Sequence, residues 1–339
     1  MWKIKLSYRL FGLYKGTKYL IYKFSILILR FFSRNLDATS LVTKFSDSLN
    51  QKSDAVVENY IVEKYSDVYD KYRFIHGTVG TTPRNITVWT SWFQGLDDAP
   101  NIVKESVKSI EKYARYAGFS FVNIDKGNYK NYIQIDQRII AEMEAGKIKP
   151  AHLSDLIRVK LLTKYGGIWF DATQLLIKPI PNWIWEPDLL VWNEMHDLSE
   201  KNAFLGIPFT KHFNNSFLVA KEGASFYDFA SDITEKLVSD DILKLDYFAN
   251  FKAYFAGVRM FPWLTSQWSD MIPVNSDGLA ARQLWNQAVN ENVVNAVNNN
   301  DNFFFIMTYK KKWNEEIDGT VTVQEYIRRY SQNEVFSHS

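Results

Sequence analysis

The stretch AHLSDLIRVKLLTKYGGIWFDAT, residues 151–173, limits the possible folds more than any other part of the chain. Its first part carries the helical period over 151–165, two glycines then break it, and GGIWFDA (166–172) reads as a strand. Ile168, Trp169 and Phe170 show no polar alternation, which suits a strand buried on both faces of an α/β sheet. Asp171 ends that apolar run. Open α/β sheets bind ligands in the crevice beyond the carboxyl ends of their strands, so a carboxylate there is expected to face such a crevice.

The helix ahead of the strand carries a second irregularity. At about 100° per residue, Lys160, Thr163 and Lys164 share the wet sector, whereas Asp155 and Arg158 fall opposite, beside Val159 and Leu162. Charges pointing toward a core are costly unless they are paired or serve a ligand. One reading is an i,i+3 ion pair tying the helix to the sheet. The other is that both groups reach the crevice of Asp171.

Upstream, ITVWTSW (86–92) reads as a first strand and NIVKESVKSIEKYARYAGF as an amphipathic helix with Val103, Val107, Ile110 and Tyr113 on one stripe. SFVNID (120–125) returns as a second strand, so strand–helix–strand order implies a parallel pair. Downstream, NSFLVAK (215–221) is a further strand, and 286–301 keeps helical spacing through Val289, Val293 and Val297 despite its asparagines. Thr322 and Glu325 stand in capping-box spacing before a last helix. The expected organisation is a helical extension over 1–75, an α/β domain over 76–312, and a C-terminal helix and tail over 313–339.

The 339 residues are 46% hydrophobic, enough for a substantial core. Cysteine is absent, which excludes disulfides and thiolate metal sites and suits a reducing, cytoplasmic compartment. A net charge of +2 gives no reason to expect nucleic acid as a partner. Charge is uneven, however: residues 1–35 hold Lys3, Lys5, Arg9, Lys15, Lys18, Lys23, Arg30 and Arg34 and no acid. The apolar stretches between them are too short to span a bilayer, and no small-residue cleavage site follows. Two readings stand for 1–34: a helix lying on an anionic membrane surface, at the inner face of the plasma membrane, or a helical extension packed on the main domain.

The block Ser154-Asp155-x-x-Arg158 … Tyr165-Gly166-Gly167-x-x-x-Asp171-x-Thr173 resembles a signature of GT-A-fold glycosyltransferases. It is most similar to the bacterial capsular polysaccharide synthesis group, related to the α-1,6-mannosyltransferase initiator family and clostridial glucosylating toxins. VWTSWFQGLDDAP resembles that group's first strand and loop, and MTYKKKW (307–313) more faintly its closing segment. The likeness covers about 85–310. It implies a mixed sheet flanked by helices that binds a nucleotide-sugar donor, UDP-sugar favoured, and a glycan or lipid-linked oligosaccharide acceptor.

Carried over position by position, the resemblance puts Asp155 and Arg158 at the donor sugar, with Arg158 also near the phosphates. It puts Asp171 at ribose, sugar and metal, and Asn215 near the reacting sugar. Trp89, Trp92, Gly167 and Lys310 belong to its donor site. The cofactor it implies is Mn²⁺ or Mg²⁺ on Asp171 and Thr173, but Thr173 replaces the usual second acid, and a hydroxyl is the poorer ligand. Retention of anomeric configuration is implied too. Trp183, Trp185 and Trp192 read either as core residues or as a platform for acceptor sugars. His76, His152, His196, His212 and His338 lack ligand spacing and read as structural or exposed. An inactive sugar-nucleotide or glycan-binding relative is the main alternative, and a glycoside hydrolase a lesser one.

Overall fold

A computed structural model describes residues 1–33, 39–193, 213–272, 274–275, 278, 281 and 284–332. The chain divides into two compact units, 1–76 with 232–266 and 77–231 with 267–339.

The second unit contains the sheet. Strands β1 (Thr87–Ser91), β2 (Ser120–Ile124), β3 (Gly167–Phe170), β5 (Leu190–Asn193) and β6 (Phe213–Ala220) stand in the order β2-β1-β3-β6-β5. β1 runs parallel to β2 and to β3, with Trp89 opposite Trp169. β6 then pairs antiparallel with β3, placing Phe170 opposite Phe217, and β5 is antiparallel to β6. The sheet is therefore mixed, flanked by helices, as the sequence led us to expect. A separate pair joins β4 (Gln174–Leu176) to β7 (Phe304–Ile306), with Gln174 opposite Ile306.

Helix α4 (Asn101–Tyr116) links β1 to β2 and buries the expected stripe of Val103, Val107, Ile110 and Tyr113. After the short α5 (Gln137–Glu144), helix α6 (Pro150–Tyr165) feeds β3 and is sunk more deeply, with Leu153, Leu156, Ile157, Leu161 and Leu162 inaccessible to solvent. The two glycines between them are required by the backbone. Gly166 has φ 62° and Gly167 φ 100°, both left-handed, and a Cβ on Gly167 would lie 2.3 Å from the Thr87 carbonyl oxygen of β1. Only hydrogen fits where β3 starts against its neighbour.

The last helix, Val323–Gln332, packs Val323 and Ile327 into the core beneath Ala172, Leu175 and Phe305. Its capping box does not form. The Thr322 hydroxyl donates to the Asn314 carbonyl at 2.7 Å, and Glu325 accepts from Arg328 and Arg329. The spacing was present, but a cation in the following turn outcompetes the backbone N–H for the carboxylate.

The first unit is helical and joins residues 1–76, where an extension was expected, to 232–266. It holds α1 (Trp2–Ser33), α2 (Thr39–Lys64) and α3 (Ser66–Arg73), with the later helices Ile242–Leu245 and Ala249–Met260. Gly12, at φ 72°, breaks α1 into two helical arms. Val57, Ile61 and Tyr69 are inaccessible, and the Tyr69 hydroxyl donates to the Ala253 carbonyl at 2.9 Å. Lys252 sits between Asp54, at 2.7 Å, and Asp246.

Candidate functional site

Arg158 organises the carboxyl end of β3. From the middle of α6 its guanidinium reaches Asp155 and Asp171, each at 3.2 Å, while lying 5.1 Å over the Trp169 ring. Its other donors go to the Ser154 carbonyl, at 3.2 Å, and to the Asn215 carbonyl at the start of β6. The side chain is 4% exposed. A buried arginine so fully engaged acts as a brace: it fixes two carboxylates and the neighbouring strand in one geometry.

Behind it, Asp155 accepts from the Asn215 side-chain amide at 2.8 Å and has His152 Nδ1 at 3.6 Å. Burial alone would raise the Asp155 carboxyl, but Arg158, His152 and Asn215 outweigh it and hold it below the usual carboxylate range. Asp171 is the open member, with 32% of its side chain exposed. Its Oδ1 accepts from Trp169 Nε1 at 2.9 Å, and its backbone N–H donates to the Ser216 carbonyl. Burial raises the Asp171 carboxyl above the ordinary value. Arg158 and Trp169 oppose the rise without cancelling it, and the Asp155 charge adds to it.

Asp155, Arg158, Asp171 and Asn215 are thus assembled in one place. Sequence reasoning named those four and missed Trp169, although strand alternation puts positions 169 and 171 on one face. Ser154 had no role assigned beyond its place in the motif, and Ser216 was missed because it contributes a backbone oxygen that no residue type announces.

Other expected residues lie elsewhere. Gly167 is at the opposite end of β3 from Asp171, and its place follows from the close approach to Thr87. Trp89 is 2% exposed, donates to the Gly166 carbonyl at 2.9 Å and packs on Tyr165 and Tyr132. Trp92, directly after β1, is half-buried and meets the exposed Tyr309 edge-on, ring centroids 5.2 Å apart. The Met307 N–H donates to the Thr173 carbonyl at 2.8 Å, so the segment leading to exposed Lys310, Lys311 and Lys312 starts beside the Asp171 loop. Trp183 and Trp185 pack partly buried against the core. His76 is exposed and His152 buried; His196, His212, His338 and the Trp192 side chain lie outside the described residues.

A cation site was expected at Asp171 and Thr173. Among the described residues no group of three or more His, Cys, Asp or Glu side chains is arranged to hold a metal. Asp171 has one oxygen taken by two donors, and no hydrogen bond to the other oxygen is made among the described residues. One carboxylate oxygen and a nearby hydroxyl form a thin set. Such a set would suit only a hard cation that keeps several of its waters.

A family profile described as "Capsular polysaccharide synthesis protein" matches residues 38–327. The chain belongs to this family. The match reaches further toward both ends than the motifs did. The chain is similar to glycosyltransferase afumC of Aspergillus fumigatus, 27% identical over 40% of this chain and 36% of that protein. It is also similar to O-glycosyltransferase braB of Annulohypoxylon truncatum, 23% identical over 57% of this chain and 43% of that protein. The chain spans less than half the length of these curated relatives. Among solved structures, PaToxG glycosyltransferase aligns over 64% of this chain and 92% of its own at 11% identity, with a TM-score of 0.34.

Proposed function

We propose that this member of the capsular polysaccharide synthesis family is a glycosyltransferase. It moves a sugar from a nucleoside-diphosphate donor, UDP-sugar favoured, to a glycan or lipid-linked oligosaccharide acceptor, with retention at the anomeric carbon. The observation that carries the reading is a half-open Asp171 at the carboxyl end of β3, held from behind by buried Arg158, Asp155 and Asn215. Similarity to two proteins named as glycosyltransferases supports it.

In this reaction the bond from the anomeric carbon to the diphosphate oxygen breaks and a bond to the acceptor oxygen forms. The departing phosphate oxygen takes the acceptor proton on the same face, so no protein nucleophile is needed. The protein must hold the sugar against the acceptor and offset the charge growing on the diphosphate. Asp171 and Asn215 orient sugar hydroxyls, while Asp155 acts through Arg158 and Asn215. Because Arg158 has its donors engaged, the charge on the diphosphate falls to the exposed lysines 310–312. When bound, Mn²⁺ or Mg²⁺ at Asp171 and the Thr173 hydroxyl supplies further neutralisation of the phosphates. The enzyme works in the cytoplasm of a bacterium, peripheral on the inner face of the plasma membrane through residues 1–34.

The test is a screen of sugar nucleotides for thermal stabilisation and hydrolysis, with and without Mn²⁺. One donor is expected to raise the melting temperature and be slowly hydrolysed, and Asp171→Asn should lower turnover by about 10²–10³. Thr173 in place of an acid favours a second reading, an inactive relative that binds the donor only. Stabilisation by a donor with no turnover on any acceptor would select it, and no response to any donor would refute both.

A further inference from the structure

The second arm of α1, after the break at Gly12, turns an apolar stripe outward. Leu13 is 77% exposed, Ile21 56%, Phe24 65%, Leu27 63% and Ile28 40%, whereas Tyr19 and Ile26 on the opposite side are buried in the helical unit. At 100° per residue the five exposed side chains fall within one sector of about 120° centred opposite Tyr19 and Ile26. On the first arm Trp2 is 57% exposed and Ile4 48%, on faces about 160° apart and so outside this stripe. A folded helix rarely leaves so many large apolar groups contiguous and uncovered without a partner.

Charge indicates the partner. Residues 1–35 contain eight basic residues and no acid. Arg9 and Lys15 are paired internally, with Asp241 and Glu63, and Lys23 lies 4.0 Å from Asp246. Lys3, Lys5 and Lys18 have no carboxylate partner among the described residues; Lys3 and Lys18 lie against the Trp2 and Tyr14 rings. Aliphatic and aromatic groups on one face, with exposed lysines elsewhere along the same helix, suit a helix lying in the plane of a membrane interface. No helix among the described residues is long and apolar enough to cross.

We infer that the outward face of α1 is a docking surface for an anionic lipid bilayer. Phe24, Leu27 and Ile28 sink into the headgroup boundary while Lys3, Lys5 and Lys18 contact lipid phosphates. The inference rests on the peripheral location proposed above, and is separable from the transferase reading because it is measured without donor. It gives the protein a binding function of its own, carried by the helical unit.

The experiment is sedimentation of the full chain with vesicles of phosphatidylcholine alone and of phosphatidylcholine with phosphatidylglycerol. The unaltered protein is expected to bind the second and not the first. Phe24→Gln with Leu27→Gln should weaken that binding at least about tenfold, since each buried methylene counts. Circular dichroism and the melting temperature should not change, because both side chains are exposed. Lys3→Gln, Lys5→Gln and Lys18→Gln together should weaken it about a hundredfold, at roughly fivefold per surface lysine. The inference is overturned if the unaltered protein ignores anionic vesicles, if it binds both vesicle types equally, or if the stripe variant binds as well as the parent. A concentration-dependent dimer, lost in the stripe variant and unaccompanied by vesicle binding, would overturn it in favour of self-association. Donor-induced stabilisation, followed on the same samples, reports the sugar-nucleotide reading independently.

Discussion

At the scale of single residues, the site depends on two carboxylates that share one guanidinium but meet different surroundings. Asp171→Asn keeps the shape and removes the charge, so transfer should fall by about 10²–10³ with the melting temperature little changed. Parallel kinetic and thermal measurements check this. Its raised pKa sets a pH signature: the acid limb of kcat/KM should lie above the pH expected for an ordinary carboxylate, because the protonated form persists to higher pH. Asp155 contributes to that rise through its charge, so Asp155→Asn should move the limb downward. An unmoved limb would mean another group controls it. Arg158→Met should cost about 3–5 kcal/mol in urea denaturation, toward the lower end because Asp171 retains access to water.

At the scale of elements, the glycine pair shows why a local motif needs its neighbours to be explained. A turn was legible from the sequence; that Gly167 must pass beside the Thr87 carbonyl was not, because 80 residues separate the partners. Gly167→Ala should therefore cost more than Gly118→Ala. Both have positive φ, but nothing lies within 4 Å of a Cβ at Gly118. About 1–2 kcal/mol is expected at Gly118 for the left-handed backbone alone, and a further displacement of β1 at Gly167, both read by chemical denaturation. Helices α4 and α6 were recognisable from their period, strands β1, β2 and β6 from their composition and order, and β3 from its unbroken apolar run after two glycines. The Thr322–Glu325 pair was not what its spacing suggested, since spacing cannot show which hydrogen-bond partner wins.

At the scale of the whole molecule, the unit built from 1–76 and 232–266 hangs on contacts between segments far apart in the chain. Lys252 there neutralises Asp54 and Asp246 with little access to water. Lys252→Met would remove the ammonium that Asp54 and Asp246 share, leaving Lys23 at 4.0 Å as the more distant cation beside Asp246, and should destabilise this unit by about 3 kcal/mol, the lower end of the range for a broken buried pair. Burial raises the Asp246 carboxyl, but Lys252, Lys23 and its hydrogen bonds outweigh it and hold it below the usual range. The sign follows: this contribution is complete above the ordinary carboxylate pKa and is lost as the pH falls through the lower folded value. Acid titration of the melting temperature should show that loss in the parent and not in Lys252→Met.

By itself the sequence determined the elements and the position of Asp171 at the end of its strand, because helical and strand periods, glycine breaks and apolar runs are local properties. It also placed Asp155 and Arg158 toward the core, since a helical wheel needs only neighbouring residues. Only the tertiary structure decided what those charges do there. Arg158 is braced by a carbonyl 57 residues away, Trp89 turns into the interior, and an apolar stripe of α1 is left outside. Such pairings depend on which surfaces meet after the elements pack, and no periodicity along the chain encodes them.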